Sequence, residues 1–251
     1  MKHKIIYSTI IFATAVLLII SSGIIFAYKG ISKNDVPKEE EMHFTYLPPY
    51  VTISPFDAHF RKAAKVLDYD WTLIAAIAYT ESRFDSTAIS EAGAIGVMQV
   101  MPKTLESMGF PDSLYMETGT NITAATELIR SLEKHFKYIK NKDERLNFVL
   151  ASYNAGYGHI NDAMRLAGKY GKNRYRWYGN VDTFLIYKNE PEFYTDTLCR
   201  NGQFKGWKET LSFVNKVHRN WKRFSKLQRE YNDSIKNILI TDSTKRIKET
   251  D

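Results

Sequence analysis

The sequence predicts a mostly α domain with at most a small β element, preceded by one membrane-spanning helix. Three observations carry this. Residues 121–140 keep a three-four alternation of apolar side chains (Ile122, Ala125, Ile129, Leu132, Phe136, Ile139), the period of one helix face. No stretch alternates apolar and polar residues as a half-buried strand would, and no internal repeat recurs. Residues 5–28 form an apolar run of 24, broken only by Ser8, Thr9, Thr14, Ser21, Ser22 and Gly23. A spanning helix needs roughly 20 such residues.

The apolar run has two readings. It is an uncleaved signal anchor, or a signal peptide cut after Ser21-Ser22-Gly23. The apolar residues Ile24–Ala27 carry it beyond an ordinary cleaved signal, so length favours an anchor in the cytoplasmic membrane. Either way the remaining chain is expected outside the cytoplasm. Lys2 and Lys4 are balanced by Lys29 and Lys33, so loop charge does not orient it. Residues 1–30 are assigned to this segment. Residues 31–53 read as a charged, proline-containing linker, 54–228 as one globular domain and 229–251 as a charged, frayed tail.

Within the domain, Ser54-Pro55 looks like a cap followed by proline at a helix start, with Phe56, Phe60, Ala64 and Leu67 inward. Asp70 can cap a second helix from Trp71. Short helices are expected over 103–108 and 159–166, longer ones over 121–140 and 143–153, and a last one from Lys208. That last helix would carry Leu211, Val214, Val217, Trp221 and Phe224 inward. Residues 168–207, rich in Gly, Asn and aromatics, read as irregular.

The formal charge is +7; Lys2, Lys4 and Lys29 supply three of these, leaving a mild +4 elsewhere. That bias suits an anionic polymer. No basic stripe with interleaved aromatics is recognised, and no nucleic-acid motif, so nucleic acid is not an expected partner. Cys199 is the only cysteine, which excludes an intrachain disulfide and a lipid anchor near the N-terminus. His135, His159 and His218 lack metal-ligand spacing, and no metal or organic cofactor is called for.

Glu81 stands out. Ile74, Ile77, Ala78 and Glu81 share a helix face by their i, i+3, i+4, i+7 spacing, so the carboxyl lies with core residues at a helix end. Burial and the negative helix end both favour its protonated form. A solvated carboxylate paired to a cation fits the position equally well. The following GAIGVMQVMP (93–102) permits tight turns at Gly93 and Gly96 and places Gln99 and Met101 beside them. It lacks the lysine and hydroxyl of a phosphate-binding loop. Met98 and Met101 pack on a sugar face or on the core. In SYNAGYGHI (152–160), Tyr153 points into a groove near Glu81 or is a satisfied core tyrosine.

Together TES, GAIGVMQVMP and SYNAG resemble the lytic transglycosylases of the lysozyme superfamily, across about residues 55–225. The resemblance implies a goose-type, lysozyme-like helical fold acting on peptidoglycan glycan strands. It implies that Glu81 is the catalytic acid. It also implies that Ser90, Gln99, Met101, Tyr153 and Asn154 contact substrate, while Gly93, Gly96 and Glu209 of Glu209-Thr210 give support. A glycosidase using two carboxylates would need a partner for Glu81; Asp85 and Glu91 carry no partner signature. The family's solution is non-hydrolytic: Glu81 protonates the oxygen between N-acetylmuramic acid and N-acetylglucosamine, then takes the proton of the muramic C6 hydroxyl, giving a 1,6-anhydro end. The rivals are a goose-type lysozyme-like hydrolase and a non-catalytic wall-binding protein. WKETLSFV (207–214) is most similar to a membrane-bound branch with an added N-terminal solute-binding-like domain. Residues 1–53 do not resemble that domain, so its regulation is not expected here.

Overall fold

The computed structural model describes residues 50–249, with side chains described through residue 240. The apolar run 5–28 and most of the linker lie outside the described residues. No helix among the described residues is long and apolar enough to cross a membrane.

The chain is helical, as expected. Its main helices are α1 (Asp57–Leu67), α2 (Trp71–Ser82), α3 (Pro102–Ser107), α4 (Thr118–His135), α5 (Lys142–Ala155), α6 (Tyr157–Lys169), α7 (Asp182–Tyr187), α8 (Pro191–Tyr194) and α9 (Trp207–Glu249). The only β pairing among the described residues is two isolated bridges, Ile89 with Ile95 and Ile95 with Val100.

α2 is the centre. Asp70 caps it, accepting the Thr72 N–H at 3.0 Å. Every residue from Trp71 to Ala78 is buried, so the helix is covered all round. α1 packs along it, and α9 covers it more extensively than any other helix pair in the domain. Val214, Val217 and Phe224 of α9 are fully enclosed. Two polar contacts fix the register of α9 on α2: Thr72 Oγ1 with Ser225 Oγ at 2.8 Å, and Asn220 Nδ2 donating to Thr80 Oγ1 at 3.0 Å. α4, α5 and α6 continue the stack, each against the next.

Several boundaries differ from expectation. Ser54 does not cap α1 directly: its hydroxyl donates to Asp57 Oδ1 at 2.7 Å, and that buried carboxylate gathers the Ile53 and Ser54 amides at 2.7 and 3.0 Å. α4 begins earlier because the Glu117 side chain accepts from the Gly119 and Thr120 amides. α4 ends at His135, although Phe136 and Ile139 remain in the core. Residues 168–207 are not irregular throughout, for they hold a π-type turn at Trp177–Val181 together with α7 and α8. The expected frayed tail is instead helix through Glu249, with no break at 228/229.

Candidate active site

Glu81 sits in the last turn of α2, which ends as Arg83 turns left-handed (φ 57°) and donates its N–H to the Tyr79 carbonyl at 3.0 Å. Phe84 follows at φ 70°. A bulky residue there is strained and persists only where packing over-determines it. Phe84 is held among Phe60, Tyr79 and Phe224, with ring centroids 5.3–6.3 Å apart. The sharp stop after Glu81 is therefore built into the core.

The Glu81 carboxyl is pushed up to about 8, first by burial and then by the nearby negative charge of Glu209. Its side chain still keeps a partial opening to solvent. An acid that is enclosed on most sides yet reachable from one can hold a proton near neutral pH and deliver it. Glu209 comes from the exposed first turn of α9. Asp85 and Glu91 are exposed. Asp85 is engaged by the Thr87 amide and hydroxyl, which hold its carboxyl below the ordinary range.

The glycine-rich segment wraps beside this acid as a tight double turn. Ile95 and Val100 exchange backbone hydrogen bonds at 3.0 and 3.1 Å, and the Ser90 N–H donates to the Ala94 carbonyl at 2.8 Å. The Ser90 hydroxyl accepts from the Ala94 amide at 2.9 Å. Gln99 takes a left-handed backbone (φ 49°), and its Nε2 donates to the Ala88 and Gly96 carbonyls at 3.1 and 2.9 Å. Both donors of the Gln99 amide are therefore spent on the turn, and its oxygen is the atom left to face a ligand. Met98 is in the core, whereas Met101 is exposed and stands at the N-cap of α3.

Tyr153 ends up between its two sequence readings. Its hydroxyl donates to the Met98 carbonyl at 2.7 Å, and its ring stacks on Phe213 at 9° and 6.3 Å. Burial, with the charge of Glu81 second, raises its phenol well above the ordinary value. It is satisfied, and it also lies within electrostatic reach of the acid. Asn154 accepts from the Thr210 hydroxyl at 2.8 Å, which links the end of α5 to the turn of α9 that carries Glu209.

Three bracing polar residues escaped the sequence reading, two at the glycine segment and one in the fold behind it. Ser82 donates its hydroxyl to the Val97 carbonyl at 2.8 Å, tying the residue after the acid to the glycine segment. Asn121, fully buried at the start of α4, accepts the Met98 N–H at 2.8 Å and donates to the Ile95 carbonyl at 2.9 Å. Asp162 of α6, also enclosed, binds Lys188 Nζ at 2.6 Å and the Arg200 and Asn201 amides at 3.1 and 2.9 Å. Burial opposes its ionisation, but these donors outweigh burial and hold it below the ordinary carboxylate range. Asn121 and Asp162 each stand on an apolar helix face, which was the available signal.

Residues 58–176 match the family described as the Transglycosylase SLT domain. The membrane-bound lytic murein transglycosylase F of Desulfosudis oleivorans is 37% identical over 163 residues, covering 65% of this chain and 34% of that protein. The protein of the same name from Pseudomonas fluorescens is 30% identical over 164 residues, covering 65% and 32%. The chain spans about a third of the length of these curated relatives. An inactive mutant of the lytic transglycosylase Slt from Pseudomonas aeruginosa aligns with a TM-score of 0.42 at 19% identity, over 69% of this chain and 25% of that one.

Proposed function

We propose that this chain, whose residues 58–176 match the Transglycosylase SLT domain family, is a peptidoglycan lytic transglycosylase. It would cut the β-1,4 bond between N-acetylmuramic acid and N-acetylglucosamine and leave a 1,6-anhydro-muramic end. One observation carries this reading: a single carboxyl, Glu81, holds its proton up to about 8. Protonated Glu81 donates to the glycosidic oxygen as the bond breaks. The resulting carboxylate then takes the C6 hydroxyl proton while that oxygen closes on the anomeric carbon. One group serves as acid and then base, so a value near the working pH suits both halves. The braced turn holding Ser90, Gln99 and Met101, with Tyr153 and Asn154, positions the sugar against Glu81.

Glu209 favours a second reading, because it is the carboxylate whose charge bears on Glu81. A goose-type hydrolase would use such a partner to activate water. The two differ in the product end group. Mass spectrometry of digested sacculi should find anhydro-muramic ends; reducing muramic ends alone would overturn the proposal and favour the hydrolase. The Glu81→Gln variant should lose about 10³-fold in rate.

The apolar run 5–28 and the relatives' names support a chain anchored in the cytoplasmic membrane with its domain on the wall side. An alkaline carbonate wash that released the protein from membranes would count against the anchor.

A further inference from the structure

Two stretches of the chain are basic, aromatic and free of acids, and the fold brings them together. Residues 134–142, from the last turn of α4 to the first residue of α5, contain Lys134, Lys137, Lys140 and Lys142 around Tyr138. Residues 169–176, from the last residue of α6 onward, contain Lys169, Lys172, Arg174 and Arg176 around Tyr170 and Tyr175. All eight cations are exposed. Tyr138 and Tyr175, 44% and 46% exposed, meet edge to face with centroids 5.7 Å apart, and the Arg174 guanidinium lies 5.5 Å from the Tyr175 ring centre. Lys142 lies 3.8 Å from Asp68, and Lys169 is paired with Asp196; the other six cations have no ion-pair partner among the described residues. This is a stripe of the kind the sequence reading did not recognise, because its two halves are about 30 positions apart.

The stripe is not the site already described. It gathers at the start of α5, whereas Tyr153 lies near that helix's end, on the order of 16 Å away at 1.5 Å rise per residue. Unpaired surface cations in such density raise the local concentration of an anionic polymer. Exposed ring faces add stacking on flat or cyclic groups. The exposed rings are hydroxylated tyrosines, and Tyr138 is fixed by contacts with Phe136 at 6.4 Å and Met164 Sδ at 3.9 Å. An anionic lipid surface would draw the same cations, but these hydroxylated rings offer it no apolar wedge to bury.

We propose that the Lys137–Lys140–Arg174 surface with Tyr138 and Tyr175 is an accessory site for the carboxylate-bearing stem peptides of peptidoglycan. It holds the polymer at the start of α5, on the order of 16 Å along that helix from Tyr153. This rests on the proposed function for the identity of the polymer.

The test uses the full chain with Glu81→Gln, so the polymer is not consumed, and measures cosedimentation with insoluble sacculi across a salt series. Lys137→Glu, Lys140→Glu and Arg174→Glu together should weaken capture about tenfold at low salt and flatten its salt dependence. Arg174→Glu alone, should the triple variant not fold, should weaken capture about threefold. The same changes in the chain with Glu81 intact should leave turnover of a short soluble glycan within about twofold of wild type. Sacculi stripped of stem peptides by an amidase should bind like the triple variant. Equal capture and equal salt slope for the triple variant would overturn the site. So would undiminished binding to stripped sacculi, or tighter patch-dependent capture by phosphatidylglycerol vesicles or duplex DNA. Patch-dependent capture without anhydro products from the Glu81-intact chain would sink the proposed reaction and leave this site standing.

Discussion

Glu81 is costly to the fold that holds it. Its carboxyl is raised from an ordinary 4.5 to about 8, so the folded chain keeps a proton that the unfolded chain releases across that window. Stability is therefore greatest below the ordinary value and is lost as pH rises through the raised one. Glu81→Gln removes the penalty. At pH 8 it should be more stable than wild type by about 2 kcal/mol, less than the full shift implies because the carboxyl keeps an opening to water. At pH 4.5 the two should unfold at the same urea concentration; a gap of constant size would mean the carboxyl is not perturbed. Glu209 gives a second check. Glu209→Gln takes a negative charge away from Glu81, so the basic limb of kcat/KM should move to lower pH by about half a unit. An unmoved limb would remove Glu209 from the electrostatics of the site. Helix phase made the burial of Glu81 legible in sequence. The contribution of Glu209 was not, because only the packing of α9 on α2 brings the two carboxyls near.

Among the elements, the 93–101 turn shows how unevenly glycine matters. A Cβ on Gly96, at φ 75°, would stand 2.7 Å from the Asn121 side chain, which is fixed by its own hydrogen bonds. Gly93 has φ 85° but nothing within 4 Å of such a Cβ. Gly96→Ala should therefore cost upwards of about 2 kcal/mol and most of the activity, and Gly93→Ala only about 1 kcal/mol of backbone strain. Equal melting temperatures for the two variants would contradict the clash. Glycine spacing in the sequence marked the turn but could not rank its members, since the neighbour of Gly96 comes from α4. Long periodic helices were legible to within a few residues. α7 and α8 were not, because six and four residues give too few turns for a period to register. The continuation of α9 past residue 228 escaped notice for a related reason: charged residues dilute its apolar period, while nothing in them stops a helix.

At the scale of the whole molecule, the domain is organised around a helix that has no solvent face from Trp71 to Ala78. α2 is sealed chiefly by α9, which lies beyond the 58–176 stretch that matches the family. A fragment of residues 50–176 should consequently keep helical circular dichroism but lose a cooperative melt and bind a hydrophobic dye. A sharp two-state transition would show that α9 is dispensable. The sequence made both helices visible but not their partnership, since an all-apolar helix does not reveal which neighbour covers which side.

Asp162 gives the stretch between α7 and α9 an unusual dependence. The Lys188 ammonium and the backbone at Arg200 and Asn201 all close on one carboxylate. Arg165 on the Leu198 carbonyl and Lys169 on Asp196 tie the same span to α6, so a proton on Asp162 in strong acid would undo the hub of a three-point fastening while its two outer ties still held.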